Sequence, residues 1–293
     1  MDPVGTLVVV GTPIGNLGDL SPRAAAELAG ADVIACEDTR RTGRLLSLAG
    51  IKGPRLVVAN EHTERDRISE VLGRLAEGQR VVLVSDAGMP AISDPGRILV
   101  DAVAEAGYRV DVVPGPVAAI AALCASGLRA DRFVFEGFLP RKGRARAIRL
   151  DAVGDEERTF IVYEAPHRLI KTLADLITVC GEERPAVVAR ELTKLHEELI
   201  RGSLAELMAH FETTEPRGEI VIIVGGVKPV QVEFDDESLQ EALTAALDRG
   251  STRRDAVAEV VQATGEPKRR VYALATALDR RPASRLGEGS GSE

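Results

Sequence analysis

The feature that most constrains this chain is a rhythm in its first 115 residues. Short apolar runs at 7–10, 33–36, 56–59, 81–84 and 110–113 alternate with longer stretches of helical character. Runs such as Val81-Val82-Leu83-Val84 are nearly all β-branched and carry no polar face. Strands of that kind suit a sheet covered on both sides, hence a largely parallel one, with helices as the crossovers. The helix starts between them are legible. Ser21 before Pro22 reads as an N-cap with proline at the first helical position. Asp94 before Pro95 reads the same way, as the cap of a helix ending at Ala106 and closed by Gly107.

After Val113-Pro-Gly-Pro116 the texture changes. A small-residue helix over 117–126 is followed by strand-like segments at 133–138, 159–163, 186–190, 195–201 and 219–224. The short link from Arg190 to Leu195 joins antiparallel neighbours, so a second α/β domain over 116–228 is expected to hold a mixed sheet. A linker then leads to helices at 239–247 and 256–264, the second capped by Thr252 with Asp255 in the capping-box position. Pro267 opens a third helix, with Val271, Leu274, Ala275 and Leu278 on one face. Residues 237–281 thus read as a small helical domain, and 282–293, rich in Gly, Ser and Glu, as a disordered tail.

Composition narrows the function classes. Aromatic residues make up 3% of the 293 residues, with no Trp, which argues against base-stacking platforms. No apolar run approaches the roughly 20 residues of a membrane span. No basic leader precedes the first strand, so a cytoplasmic protein is expected. Cys36, Cys124 and Cys180 are odd in number and far apart, and the four histidines (His62, His167, His196, His210) have no ligand spacing, so no metal is expected. The net charge of −8 hides local asymmetry. Arg141, Lys142, Arg144, Arg146 and Arg149 follow one another without an acid, and residues 251–285 hold eight basic and four acidic residues. Local fields, not the net charge, are what a polyanion meets.

Three loops carry the ligand signals. Gly11-Thr-Pro-Ile-Gly-Asn16 follows a buried strand, and it is neither a Walker A loop nor a dinucleotide fingerprint. Ser85-Asp-Ala-Gly-Met-Pro-Ala-Ile-Ser-Asp-Pro-Gly96 follows the fourth strand at its carboxyl end, where open α/β sheets bind ligands. Its Asp86 is expected to bind the ligand, with small residues beside it to admit a flat ring, whereas Asp94 is expected only to cap its helix. Val113-Pro-Gly-Pro116 feeds the small-residue helix, whose small side chains suit either close packing or a cofactor lying against its start.

Together these loops resemble the tetrapyrrole-methylase superfamily, with the Asp86 loop standing where that superfamily has its Gly-Asp-Pro signature. Further motifs bring the chain closest to the branch that methylates small-subunit ribosomal RNA. They are Thr12-Pro-Ile-Gly-Asn-Leu-Gly-Asp19, Cys36-Glu-Asp-Thr-Arg40, Asn60-Glu-His62, Gly137-Phe-Leu-Pro140, Tyr163-Glu-Ala-Pro-His-Arg168, Ala189-Arg-Glu-Leu-Thr-Lys194 and Gly218-Glu-Ile-Val221. The likeness runs from about residue 5 to 226 and more loosely into the tail. Met89 departs from the usual Thr, and Asn60-Glu-His62 stands in place of a variant rich in His and Asn.

The resemblance implies S-adenosylmethionine, bound folded between two α/β domains, and methylation of a cytidine ribose 2′-hydroxyl in 16S rRNA of the 30S subunit by a homodimer. Cofactor contacts are then expected at Pro13, Gly15, Asp86, Ala87, Gly88, Met89, Pro116, Val117, Tyr163 and Glu164. A ribose hydroxyl gains from a nearby base, and Glu37, Asp38 and His62 are the candidates, although Glu37 and Asp38 equally suit a solvated helix start and a lone His is more often structural. Arg40, Arg41, Arg141, Lys142, Arg144 and Lys194, with Arg253, Arg254, Lys268, Arg269 and Arg270 of the tail, are the expected RNA contacts. Glu164 and Lys194 equally suit structural ion pairs, and the tail helices equally suit dimer contacts. A corrinoid- or sirohaem-pathway methyltransferase and a non-catalytic ribosome-assembly factor are the rival readings. The basic stretches and the Cys36-Glu-Asp-Thr-Arg40 motif weigh against the first, and turnover on 30S subunits separates the second.

Overall fold

Valine-rich runs form the first sheet of the computed structural model, which describes residues 5–227 and 234–278. In chain order the elements are β1 (Thr6–Val10), α1 (Pro22–Ala29), β2 (Val33–Cys36), α2 (Thr39–Leu48), β3 (Arg55–Val58), α3 (Glu64–Ala76), β4 (Arg80–Leu83), α4 (Arg97–Glu105) and β5 (Arg109–Val113). All five strands are parallel, in the order β3-β2-β4-β1-β5. Successive strand residues alternate between two buried clusters, one around Leu7, Leu75, Leu83 and Leu99 and the other around Val8, Leu28, Ile34 and Val82. That two-sided burial is why these strands carry no polar face. Ser21 caps α1 as expected, its hydroxyl accepting from the Ala24 amide.

The second lobe contains α5 (Ala118–Ser126), β6 (Phe133–Phe138), α6 (Gly143–Gly154), β7 (Thr159–Glu164), α7 (Leu169–Cys180), β8 (Pro185–Arg190), β9 (Glu198–Ser203), α8 (Leu204–Thr213) and β10 (Ile220–Val224). Its sheet runs β6-β7-β10-β8-β9 and is mixed, with β6 and β7 parallel and the remaining pairs antiparallel. Helices α6, α7 and α8 pack on one face around Phe160, Leu173 and Phe211, and α5 packs on the other around Ile161, Val187 and Ile223.

Two expectations need correction here. The strand expected over 195–201 begins only at Glu198. Residues 191–197 close instead as a stitched loop, with the Thr193 amide donating to Glu197 Oε2 at 2.6 Å and Leu195 92% exposed at its tip. Asp94 does not cap α4. The cap residue is Gly96, at φ +128° and without a side chain, and the capping carboxylate comes from Glu64 at the start of α3. Glu64 Oε1 accepts from the Gly96 amide at 3.1 Å and the Leu99 amide at 2.8 Å. Asp-Pro before an apolar run imitates a local cap, while the real one lies about 30 residues upstream.

Both sheets belong to one compact unit reaching residue 228, and the remainder forms a second unit. In that second unit α9 (Asp236–Asp248), α10 (Arg253–Thr264) and α11 (Lys268–Leu278) bury Leu239, Leu243, Val257, Val260 and Val271 against one another. Thr252 caps α10 as expected, accepting from the Asp255 amide and donating to the Asp255 carboxylate. The tail expected to be disordered, 282–293, lies outside the described residues. No helix among those described is long and apolar enough to cross a membrane.

Candidate functional site

The carboxyl ends of β1, β4 and β5 bring the three signal loops together through main-chain contacts. Thr12 and Gly88 exchange backbone hydrogen bonds, amide to carbonyl in both directions, at 2.9 and 3.1 Å. A Cβ on Gly11 would stand 2.6 Å from the Gly115 Cα and 2.7 Å from the Met89 Sδ, so only glycine admits this approach. The Pro116 carbonyl lies against Gly88, and Gly15 abuts Thr193 and Lys194 of the loop after β8.

Between the lobes these loops enclose a cavity of about 350 Å³. Its first-lobe wall is Ile14, Ala87, Gly88, Met89, Ile92, Ser93 and Asp94, and its second-lobe wall includes Val117, Phe138, Tyr163, Glu164, Pro166 and the stretch Gly218 to Val221. Ala87, Gly88, Met89, Val117, Tyr163 and Glu164 were expected cofactor contacts, and the fold brings all six together here. Tyr163 accepts a hydrogen bond from the Ala119 amide at 3.0 Å, which fixes the start of α5, and packs edge-on against Phe135. Burial pushes its phenol pKa up. Phe138 tilts against Tyr163 with centroids 5.5 Å apart and is 55% exposed, leaving an apolar face open on the cavity wall.

Pro13, Gly15, Pro116 and Asp86 do not line the cavity. Asp86 turns toward the first turn of α2, where it accepts from the Asp38 amide at 3.2 Å and faces Arg41 at 3.4 Å. Of the residues expected to do chemistry, Glu37 stands within electrostatic reach of Asp86 and Asp94, and burial, then Asp86, raises its pKa. Asp38 caps α2 and forms a two-pronged pair with Arg40, whose hydrogen bonds hold its carboxyl well below the usual carboxylate range. His62 sits on an exposed turn, its amide donating to Asn60 Oδ1.

Three carboxylates line the cavity, and two are already engaged. Glu164 has a fully buried side chain that pairs with Arg168 at 3.2 Å and accepts from Thr172 Oγ1 and the Ala165 amide. Glu219 pairs with Lys194 at 3.2 Å. Asp94 has the Ser85 hydroxyl nearby and no cation at ion-pairing distance among the described residues. Burial first, then Glu37, raises its pKa to about 6. Its loop is also strained, with Ala91 at φ 69° and Ser93 at φ 60°, conformations that residues with a side chain seldom adopt.

The expected RNA contacts divide. Arg141, Lys142 and Arg144 are exposed around the start of α6. Arg146, from the same basic run, is buried and satisfied by Asp175, Thr172 and the Pro140 carbonyl. Arg40 and Lys194 face neighbouring acids. In the second unit Arg253, Arg254, Lys268 and Arg269 are exposed, whereas Arg270 pairs with Asp236 and Glu266.

Such a two-lobed α/β fold, with its cleft at the strand ends, matches the profile of the Tetrapyrrole (Corrin/Porphyrin) Methylases over residues 6–208, and the chain belongs to that family. Solved structures agree on the fold. The methyltransferase CobJ superposes with a TM-score of 0.58 at 23% identity, over 76% of this chain and 95% of its own. A uroporphyrin-III C-methyltransferase from Thermus thermophilus, solved with S-adenosylhomocysteine, superposes with a TM-score of 0.54 at 19% identity, over 75% and 96%.

Curated relatives narrow the branch. Proteins named ribosomal RNA small subunit methyltransferase I are 47% identical in Synechocystis sp. over 94% of this chain and 99% of the relative, and 43% identical in Mycobacterium bovis over 92% and 93%. The counterpart from Thermotoga maritima is 47% identical over 76% of this chain and 99% of its own. Residues 233–279 match the RsmI C-terminal helix–turn–helix domain. The chain is a methyltransferase of this branch.

Proposed function

We propose that the protein transfers the methyl group of S-adenosylmethionine to the 2′-hydroxyl of a cytidine ribose in 16S rRNA, acting on the 30S particle in the cytoplasm as a homodimer. The observation that carries this reading is the match of nearly the whole chain, helical unit included, to small-subunit ribosomal RNA methyltransferases. The cavity fits the cofactor in size and chemistry. Adenosine needs an apolar slot, which Met89, Ile92, Phe138 and Tyr163 provide, and the cofactor's ammonium gains from negative charge nearby, which Glu219 brings. When bound, the cofactor supplies an electrophilic methyl group.

What the chain contributes is alignment and a dry, negative wall. Methyl transfer is an in-line displacement, so holding the acceptor oxygen opposite the sulfur accounts for much of the rate. Main-chain bonds fix the Thr12–Gly88 floor, and Tyr163 fixes α5, so the cavity walls stand ready before substrate arrives. Exposed Arg141, Lys142 and Arg144, together with the basic residues of the helical unit, meet the phosphate backbone through charge.

Reconstituting wild-type protein with 30S particles and methyl-labelled cofactor tests the reading. The label is expected on a ribose 2′-oxygen of a cytidine in 16S rRNA. Label on a base, or efficient transfer to a porphyrinoid acceptor, would overturn it.

A further inference from the structure

We propose that Asp94 takes the proton of the acceptor hydroxyl, with Glu37 and Asp86 as the electrostatic neighbours that position it for the task. The inference rests on the reading of the cavity as the methyl-transfer site and goes beyond it by naming the residue that handles the proton.

An alkyl hydroxyl must shed its proton as its oxygen attacks, and a carboxylate at the reacting centre is a competent acceptor. Among the carboxylates that line the cavity, Glu164 is locked to Arg168, Thr172 and the Ala165 amide, with no exposed surface left to meet a substrate. Glu219 is held in an ion pair with Lys194 at 3.2 Å. Asp94 alone of the three keeps its oxygens free of a cation while holding a position on the wall. Its place on the wall is set by the positive-φ turns at Ala91 and Ser93, with the Ser85 hydroxyl beside it.

The groups facing Asp94 are Glu37 from the end of β2, Asp86 and Ser85 from the end of β4, Tyr163 of β7, and Glu219 beside β10. The guanidinium of Arg41 is engaged by Asp86. Negative neighbours and partial burial disfavour the carboxylate, so Asp94 holds a proton more tightly than a free aspartate does, while remaining ionised near neutral pH. A base of that strength is better matched to a hydroxyl than an ordinary aspartate.

The ribose oxygen forms its bond to the methyl carbon while the carbon–sulfur bond breaks, and that electron pair returns to sulfur, discharging the sulfonium. The hydroxyl proton passes to an Asp94 oxygen and from there to water. Glu37 and Asp86 do not touch the reacting atoms in this scheme and act only through Asp94.

The test compares wild type with Asp94→Asn and Glu37→Gln on 30S particles, in single-turnover transfer from pH 5 to 9. Calorimetric affinities for S-adenosylmethionine and S-adenosylhomocysteine, and urea midpoints, are measured alongside. Wild type is expected to lose rate tenfold per pH unit below about pH 6. Asp94→Asn is expected to be slower by about 10²–10⁴-fold, with the acid limb abolished and both affinities within about threefold of wild type. Glu37→Gln is expected to retain transfer with the limb moved to lower pH. An Asp94→Asn rate within threefold of wild type overturns the proposal. So does a loss confined to S-adenosylmethionine affinity, which would make Asp94 a partner of the sulfonium charge instead. If wild type itself transfers no methyl to the RNA, the functional reading fails and this proposal with it, an outcome distinct from a silent Asp94 in an active enzyme.

Discussion

Replacing Glu64 by alanine tests how the site loop is held in place. The side chain is 3% exposed, and one of its oxygens accepts from two amides at the start of α4, Gly96 at 3.1 Å and Leu99 at 2.8 Å. Gly96 has no side chain to offer as a local cap, and its φ of +128° disfavours any residue that has one. Alanine therefore leaves two buried N–H groups without an acceptor, each costing about 1–3 kcal/mol. A loss of about 2–6 kcal/mol follows, part of it the favourable meeting of a carboxylate with a helix N-terminus. Glutamine preserves an acceptor oxygen and removes only the charge, so about 1–2 kcal/mol is expected there. Urea denaturation at neutral pH reads both values. Because Gly96 ends the loop that carries Met89, Ile92 and Asp94, cofactor affinity should fall with stability in the alanine variant and recover partly in the glutamine variant. An alanine variant within about 0.5 kcal/mol of wild type would falsify this account of the cap.

Asp94→Asn should be more stable than wild type above pH 6, because the native fold raises the Asp94 pKa to about 6 and so binds its proton more tightly than the unfolded chain does. That advantage should disappear as pH falls below about 4, where both states are protonated; thermal melts across this range would show a constant difference if the assignment were wrong. Arg146→Ala should cost about 1–3 kcal/mol by leaving Asp175 and the buried Thr172 hydroxyl without their partner, as urea midpoints would read. Charge reversal at Arg141, Lys142 and Arg144 should leave urea midpoints nearly unchanged and weaken RNA binding, and equal effects in the two experiments would reject the division drawn here. Reversal at Arg254, Lys268 and Arg269 should make the salt dependence of 30S binding shallower by about one unit of slope for each phosphate no longer neutralised; a change in sedimentation with the slope untouched would assign the helical unit to dimer contacts.

Much of the fold was legible because its signals are local. Valine-rich runs mark strands wherever both faces of a sheet are covered, and Ser21 and Thr252 cap helices with their own side chains. The misreadings share a cause, which is that distant residues decide. Asp94 looked like a cap because Asp-Pro is a cap signature, yet Glu64 performs that work and frees Asp94 for the cavity wall. Arg146 looked like one cation in a basic run, yet helical periodicity turns it inward toward Asp175 while its neighbours face water. Leu195 looked like the start of a strand, yet the hydrogen bonds of the loop over 191–197 carry it outward. Gly137-Phe-Leu-Pro140 and Gly218-Glu-Ile-Val221 stood out as motifs, yet nothing local said that Phe138 and Gly218 to Val221 face the same cavity, which exists only once the opposing lobe is in place.

The mutual bonds of Thr12 and Gly88, and the bare contact of Gly11 with Gly115, have a consequence for how such an enzyme diverges. The floor of the cleft is cast in peptide groups, which every sequence possesses, and it asks only that two or three positions stay small. Rim side chains such as Ile92 and Phe138 take no part in these main-chain contacts and can drift without moving the floor. An ancestral scaffold of this design can be refitted for a new acceptor one rim residue at a time, each intermediate still keeping the loops in register. Structures that share no more than 23% of this sequence still superpose on it, as a frame inherited through its backbone would lead one to expect.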